Sequence, residues 1–160
     1  AEYFAYHEDT ELSMRVWRRG WRVVYVPDAV AVHRYEFSRN EFKFYLIERN
    51  RLMFLATLWG WRALLLLSPA LLGLELGMVA LAARQGWLSA KVRSWRWLLG
   101  HAGHIRRRRR LLQAERTLTD RQWMGLLTDQ LSTTAIDLPA VVGPLNVFMR
   151  AYWRLVRPLV

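Results

Sequence analysis

Residues Tyr6 to His33 read YHEDTELSMRVWRRGWRVVYVPDAVAVH. Asp9 to Arg19 has helical spacing, with Leu12 and Val16 four apart and Arg15, Arg18 and Arg19 mostly on the other side. Gly20 is a stop signal for that helix, because glycine tolerates positive φ. Trp21 to Val26 is rich in β-branched and aromatic residues and closes on Pro27-Asp28, the pattern of a strand and its turn. Ala29 to His33 reads as a second short extended run. Helix, turn and strand in succession predict compact α/β material. Beyond it, Glu41 to Leu58 is helical again, with Phe44, Ile47, Leu52 and Leu55 close to one stripe.

The chain has 160 residues, enough for one domain and one core but small for a complete two-substrate enzyme. Hydrophobic residues make up 53%, which excludes a disordered chain. Cysteine is absent, which excludes a disulfide scaffold, a thiolate metal site and a cysteine nucleophile. The first residue is Ala, and the opening ten, dense in aromatics and acids, make no signal peptide. The N-terminus reads as a cut through a domain of a longer protein. Arginine supplies 22 of 24 basic residues, and the formal net charge is +11. That charge is uneven: residues 1–62 carry +2, 63–83 carry −1, 84–116 carry +9 and 117–160 carry +1. A basic block directly behind an apolar one points to an anionic surface as partner. The bias to arginine, alanine and leucine suggests a bacterial source.

Ala63 to Ala83 is the apolar block, 21 residues with nine leucines and a single charge, Glu75. At about 1.5 Å per residue, a helix of that length roughly matches a hydrocarbon core of about 30 Å. Nine leucines at about −0.5 kcal/mol each offset one central acid costing roughly 3 kcal/mol. Trp87, Trp95 and Trp97 follow among Arg93 and Arg96, and then comes the run Arg106 to Arg110. Ser132-Thr133-Thr134, Pro139 and Gly143-Pro144 mark a loop. The last helix, Leu145 to Val156, sets Leu145, Phe148, Met149, Tyr152 and Val156 on one face, with Arg150, Arg154 and Arg157 on the other, as in a helix lying in a membrane interface. The expected organisation is folded α/β material over 1–58 and a membrane-embedded or re-entrant helix over 59–83. A basic helical surface region follows over 84–131, then a loop and amphipathic helix over 132–160. Arg106, Arg107, Arg108, Arg109 and Arg110 would meet anionic lipid headgroups at about 1 kcal/mol each.

The segment Tyr6 to His33 resembles the C-terminal half of the catalytic domain of family 2 glycosyltransferases, in particular the bacterial rhamnosyltransferase-like subgroup. The motifs are Tyr6-His7-Glu8-Asp9, an acidic pair opening a helix, then the Gly20-Trp21-Arg22 turn with its strand, then His33. The resemblance is specific over residues 1–51 and compositional beyond them. It implies the C-terminal portion of a GT-A (Rossmann-like) α/β domain, followed by mostly helical membrane-associated segments. By the same resemblance Asp9 is the catalytic base and Glu8 shapes the site beside it. His33 would complete a site for a divalent cation, magnesium or manganese. The family's Asp-x-Asp metal motif and nucleotide-binding strands do not occur in these 160 residues. Tyr45-Leu46-Ile47-Glu48-Arg49-Asn50-Arg51 resembles the segment just past the family's catalytic core. Glu2 matches an acidic position that orients the acceptor.

The chemistry explains the residue types. An alcohol is a poor nucleophile at neutral pH, so a positioned carboxylate must take the acceptor's proton. A divalent cation neutralises charge growing on the leaving diphosphate. Arg34, Arg49 and Arg51 are candidates to grip that diphosphate, since guanidinium pairs bidentately with phosphate. Each has a plain alternative. Asp9 also suits a helix N-cap, where the helix end weakens it as a base while its acidic neighbour strengthens it. His33 also suits a histidine holding a backbone carbonyl, and the arginines a solvated or lipid-facing helix surface. His101 and His104 have the spacing of a helical metal pair, but their basic surroundings oppose a cation.

The expected function is part of an inverting glycosyltransferase. It would move a sugar from a nucleotide-sugar donor to a lipid-linked or cell-wall glycan at the cytoplasmic face of a bacterial plasma membrane. The 160 residues alone are expected to be inactive. The alternative is a non-catalytic membrane-surface anchor or scaffold. A nucleic-acid-binding module, with arginine on phosphates and tryptophan stacked on bases, is disfavoured because it has no use for the apolar block. Cytoplasmic nucleotide sugar requires residues 1–51 in the cytoplasm, and the positive-inside rule puts 84–110 there too. One straight span would separate them, so a re-entrant or interface-lying segment bent near Pro69 is expected.

Overall fold

A computed structural model of the chain describes residues 3, 5–32, 40–130 and 139–160, those of 139–142 by their backbone. Its helices are α1 (Glu8–Arg18), α2 (Glu41–Leu58), α3 (Trp61–Gln85), α4 (Leu88–Gly100), α5 (Ala102–Ala114), the single turn α6 (Asp120–Trp123) and α7 (Pro139–Val156). Local chemistry sets their ends. After α1, Gly20 adopts φ 76°, and the N–H groups of Gly20 and Trp21 return to the carbonyls of Trp17 and Val16 at 2.9 and 3.1 Å, a Schellman closure. At the start of α2, the Asn40 side chain accepts the Lys43 N–H at 2.8 Å. Helix α3 runs unbroken through Pro69, which has no N–H to give the Leu65 carbonyl. The Ser68 hydroxyl donates to that carbonyl instead, at 2.8 Å.

The α/β expectation is corrected. The structure is 75% helical, with no strand among the described residues, so it is not a GT-A or Rossmann-like portion. Trp21 to Val26 forms no ladder, and Trp21, Val24, Tyr25, Val30 and Val32 project into solvent. β-branched and aromatic residues favour strands through packing on a pleated surface beside a partner, and no other described segment is extended against this one. The loop expected at Gly143-Pro144 is also corrected, since both lie inside α7.

Helix α2 is central, and its buried residues face several neighbours at once. Helices α4 and α5 run along it and α1 packs on it. An apolar core gathers Met14, Phe54, Leu58, Ala63, Leu67, Trp123, Met124 and Val156 from α1, α2, α3, α6, the turn after α6, and α7. The C-terminal carbonyls of α2 lack helical partners, as every helix end does, and α5 supplies them. Arg109 donates to Ala56 and Trp59 at 2.6 and 2.7 Å, and Gln113 to Thr57 and Leu58 at 3.1 and 3.0 Å. A guanidinium there also opposes the negative end of the helix dipole.

Charged side chains join α2, α3 and α4. Lys91 and Glu48 are paired and fully buried, at 0% and 1% exposure. Lys91 also lies 3.0 Å from Glu75, and Arg51 pairs with Glu48 at 2.9 Å and with Glu75. The Trp95 indole N–H donates to Glu75 at 2.8 Å. Two acids thus balance two bases, and the single charge of the apolar block is consumed. The rest of α3 divides sharply. Ala63, Leu67 and Ala82 are buried, whereas Leu65, Leu72 and Leu76 are 74%, 63% and 70% exposed on the opposite stripe. Removing one partner of a buried pair leaves the other uncompensated. Lys91→Met should therefore cost about 3 kcal/mol in chemical denaturation, and Glu48→Leu added to it should recover most of that loss. A double variant no better than K91M would show that the pair does not act as a unit.

Candidate functional site

Glu8 and Asp9 open α1, after a turn that the sequence pattern did not foretell. Tyr6 and His7 both adopt left-handed backbone conformations, φ 64° and 65°. Non-glycine residues there store strain and need surrounding structure to hold them. Asn50, wholly buried in α2, does so. Its side-chain N–H groups donate to the Ala5 and Tyr6 carbonyls, both at 2.8 Å, and its oxygen accepts two bonds from Arg49 at 3.0 and 2.8 Å. The His7 ring stacks on Phe54 with centroids 6.4 Å apart.

This turn delivers two exposed carboxylates to the first turn of α1. Asp9 is not the cap: His7 holds that position and makes no side-chain cap bond. Among the described residues Asp9 Oδ1 accepts only from Thr10, its N–H at 2.6 Å and its hydroxyl at 3.2 Å. The carboxylate is thus open to a ligand from solvent. Glu11, one turn on, is buried and bound by Arg15 at 3.0 Å and Arg108 at 2.6 Å.

The arginines expected beside the acidic pair have other partners. Arg51 is turned into the buried cluster with Glu48 and Glu75. Arg49 is buried against Asn50, and its guanidinium lies over the Tyr45 and Trp97 rings, 5.5 and 4.8 Å from their centroids. Glu2, His33 and Arg34 lie outside the described residues. His101 stacks on Trp97 and bonds the Trp97 carbonyl at 2.8 Å. No group of three potential metal ligands occurs among the described residues.

The run Arg106 to Arg110 splits by helical period. Arg108 turns to Glu11 and lies over the Tyr3 ring, Arg109 caps α2, and Arg106, Arg107 and Arg110 stay exposed. Sequence reading missed Asn50, Glu48 and Lys91. Glu48 and Lys91 are 43 positions apart, with no local pattern to link them. Glu75, alone in its apolar block, was the one available signal.

Compared with protein families, curated proteins and solved structures, the chain matches none of them. With no strand among the described residues, the resemblance of residues 6–33 to family 2 glycosyltransferases does not hold. A short motif of common residue types matched a pattern whose structural context, a strand after the Gly20 turn, does not occur among the described residues.

Burial pushes the His7 imidazole below its usual range, Arg51 adds to this, and Asp9, Glu48 and Glu8 oppose it. An imidazole depressed in the folded state takes up its proton first when unfolded. Its contribution is therefore complete above the unfolded value, about pH 6.5, and falls as pH drops below it. Unfolding free energy measured across that range should fall more steeply with acid in the wild type than in His7→Gln. Parallel curves would count against a proton affinity lowered at His7 by the fold.

Proposed function

We propose that the chain is the membrane-docking, base-bearing part of an inverting glycosyltransferase at the cytoplasmic face of a bacterial plasma membrane. It would serve transfer of a sugar from a nucleotide-sugar donor to a lipid-linked or cell-wall glycan. The observation that carries the membrane half is α3, long and apolar enough to cross a bilayer yet almost wholly unburied. Leu65, Leu72 and Leu76 form a stripe left largely uncovered by the described residues, and a patch of that kind marks a protein or membrane surface. Arg84, Arg96 and Arg107 are exposed cations without a carboxylate partner among the described residues, as an anionic surface requires.

The mode of docking follows from Glu75, which lies 14 residues into α3, roughly 21 Å from its start. An upright helix would carry Glu75 into the hydrocarbon centre, and Arg51, Lys91 and their helices with it. Lying in the interface, leucine stripe down, α3 keeps those charges on the protein side.

The sugar-transfer half rests on Asp9. In the displacement, the acceptor oxygen forms a bond to the anomeric carbon while the bond to the diphosphate oxygen breaks, its electron pair leaving with the diphosphate. Asp9 takes the hydroxyl proton and returns it to solvent. Its exposed carboxylate, bonded among the described residues only to Thr10, suits that task. Glu8 and Asp9 do not by themselves fit a magnesium or manganese site, which takes more oxygen donors, and no step here runs through a cation. The anchor reading has its own support, since Arg49 and Arg51 are engaged within the fold instead of free for a diphosphate.

Two measurements separate these readings in the full-length protein. Asp9→Asn should lower transfer by about 10²–10⁴-fold and leave flotation with anionic vesicles unchanged. Under the anchor reading it changes neither. Leu65→Glu with Leu72→Glu should abolish flotation while the circular dichroism of the helices is kept.

A further inference from the structure

The start of α3 and the face of α5 that meets the end of α2 border an open cavity of about 920 Å³. Arg62, Arg106, Arg109, Arg110 and Arg116 line it, together with Trp61. The period of α5 explains the convergence: 106, 109 and 110 share one face, and Arg116 follows just past the helix end. One acid, Asp120, also lines the cavity and pairs with Arg116 at 3.2 Å. Five guanidinium groups against one carboxylate leave the site strongly positive.

Three of the five have no partner among the described residues: Arg62, Arg106 and Arg110 make no ion pair or hydrogen bond. Arg109 is fixed by the α2 carbonyls and lies 4.5 Å over the Trp61 ring. Burial lowers its affinity for a proton, Arg116 lowers it further, and Asp120 opposes both. Like charges are thus crowded where an anion would relieve them. The close approach that forms the wall is built in, because a Cβ on Gly60 would lie 1.8 Å from an Asp120 oxygen.

The cavity opens beside apolar surface of the right kind. Trp61 is 75% exposed and heads the stripe that continues through Leu65, Leu72 and Leu76. An anion seated among the arginines can therefore carry an alkyl or prenyl chain along α3. A soluble phosphate would use the cations and leave the leucines idle.

We propose that this cavity binds the phosphomonoester or diphosphate headgroup of a lipid whose chain lies along the exposed leucine stripe of α3. Guanidinium forks match terminal phosphate oxygens bidentately, which sets such a headgroup apart from a phosphodiester of similar charge. The inference rests on the membrane-surface reading above and is independent of the sugar-transfer half. It also names a headgroup class for a lipid-linked acceptor.

The test is flotation of the full chain with phosphatidylcholine vesicles carrying either phosphatidic acid or phosphatidylglycerol, matched for surface charge. The wild type should bind the phosphatidic acid vesicles more tightly. Arg106→Ala with Arg110→Ala should lose at least about tenfold on them and bind both vesicle types alike. Arg96→Ala with Arg107→Ala removes the same charge outside the cavity and should keep the preference. Equal wild-type binding to both vesicles, or equal loss of preference in both variant pairs, would overturn the cavity while sparing membrane docking. No binding to any vesicle would overturn membrane docking and this inference with it. Inorganic pyrophosphate is the soluble control, and if it bound the chain as tightly as the lipid did, the site would be one for free phosphate.

Discussion

Four charges between α2, α3 and α4, two of them fully buried and two half-buried, hold the molecule in its arrangement. Removing a carboxylate or an ammonium from water costs several kcal/mol per ion, and attraction offsets that only with close, multiple contacts. Glu48, Lys91, Glu75 and Arg51 meet the requirement by sharing partners, with Trp95 donating a further bond. Such a cluster adds little net stability over an apolar core of equal volume. Its effect is on register. A leucine-rich helix can slide along another with small change in buried area, but sliding α3 by one turn would strand Glu75 and two cations. The cluster thus fixes which stripe of α3 faces inward, and so which leucines face out.

The basic surface follows from the same economy. The formal charge of residues 84–116 overstates what is presented to a partner. Lys91 is buried, Arg93 pairs with Glu41 at 3.1 Å, Arg108 with Glu11 and Arg116 with Asp120. Outside that block Arg18 is buried as well: burial pushes its guanidinium down to about 10, and Arg116 and Arg109 push the same way against Asp120. It answers Gln113 at 3.0 Å. What remains free is a set of arginines around the start of α3 and along the outer faces of α4 and α5. A count along the sequence found the basic block, but only three dimensions divide it into structural and available charge.

The helical skeleton was legible because its signals are local. Gly20 stopped α1 as its φ preference requires, and the stripes of α2 and the leucines of α3 gave those helices directly. The strand reading failed at Trp21 to Val26 because strand propensity is a statement about neighbours, and neighbours are not in the local sequence. The candidate site was legible in part for the same reason. Glu8 and Asp9 sit at a helix start as their residue types suggest. The turn that presents them depends on Asn50, more than forty positions away. The arginine run read as one patch although its period already separates Arg108 from Arg106, Arg109 and Arg110.

The acidic pair and the arginine-lined cavity belong to one frame, which constrains how they can be used together. Helix α1 is fastened at its C-terminal end, where the Arg18 carbonyl accepts the N–H groups of Thr117 and Leu118 at 2.9 and 3.0 Å, next to Arg116 of the cavity wall. It is fastened along its length by Glu11 to Arg108 of α5. Asp9 lies nine residues before Arg18, roughly 14 Å along the axis of α1. These contacts tie the carboxylates to the helices that carry the cavity and, through α2, the leucine stripe. Docking that stripe in a membrane interface therefore fixes the height of Asp9 above the lipid. If Asp9 is the base proposed above, holding it at a set height would serve an acceptor anchored in the same surface far better than one diffusing in three dimensions, because both reactants would be oriented before they meet.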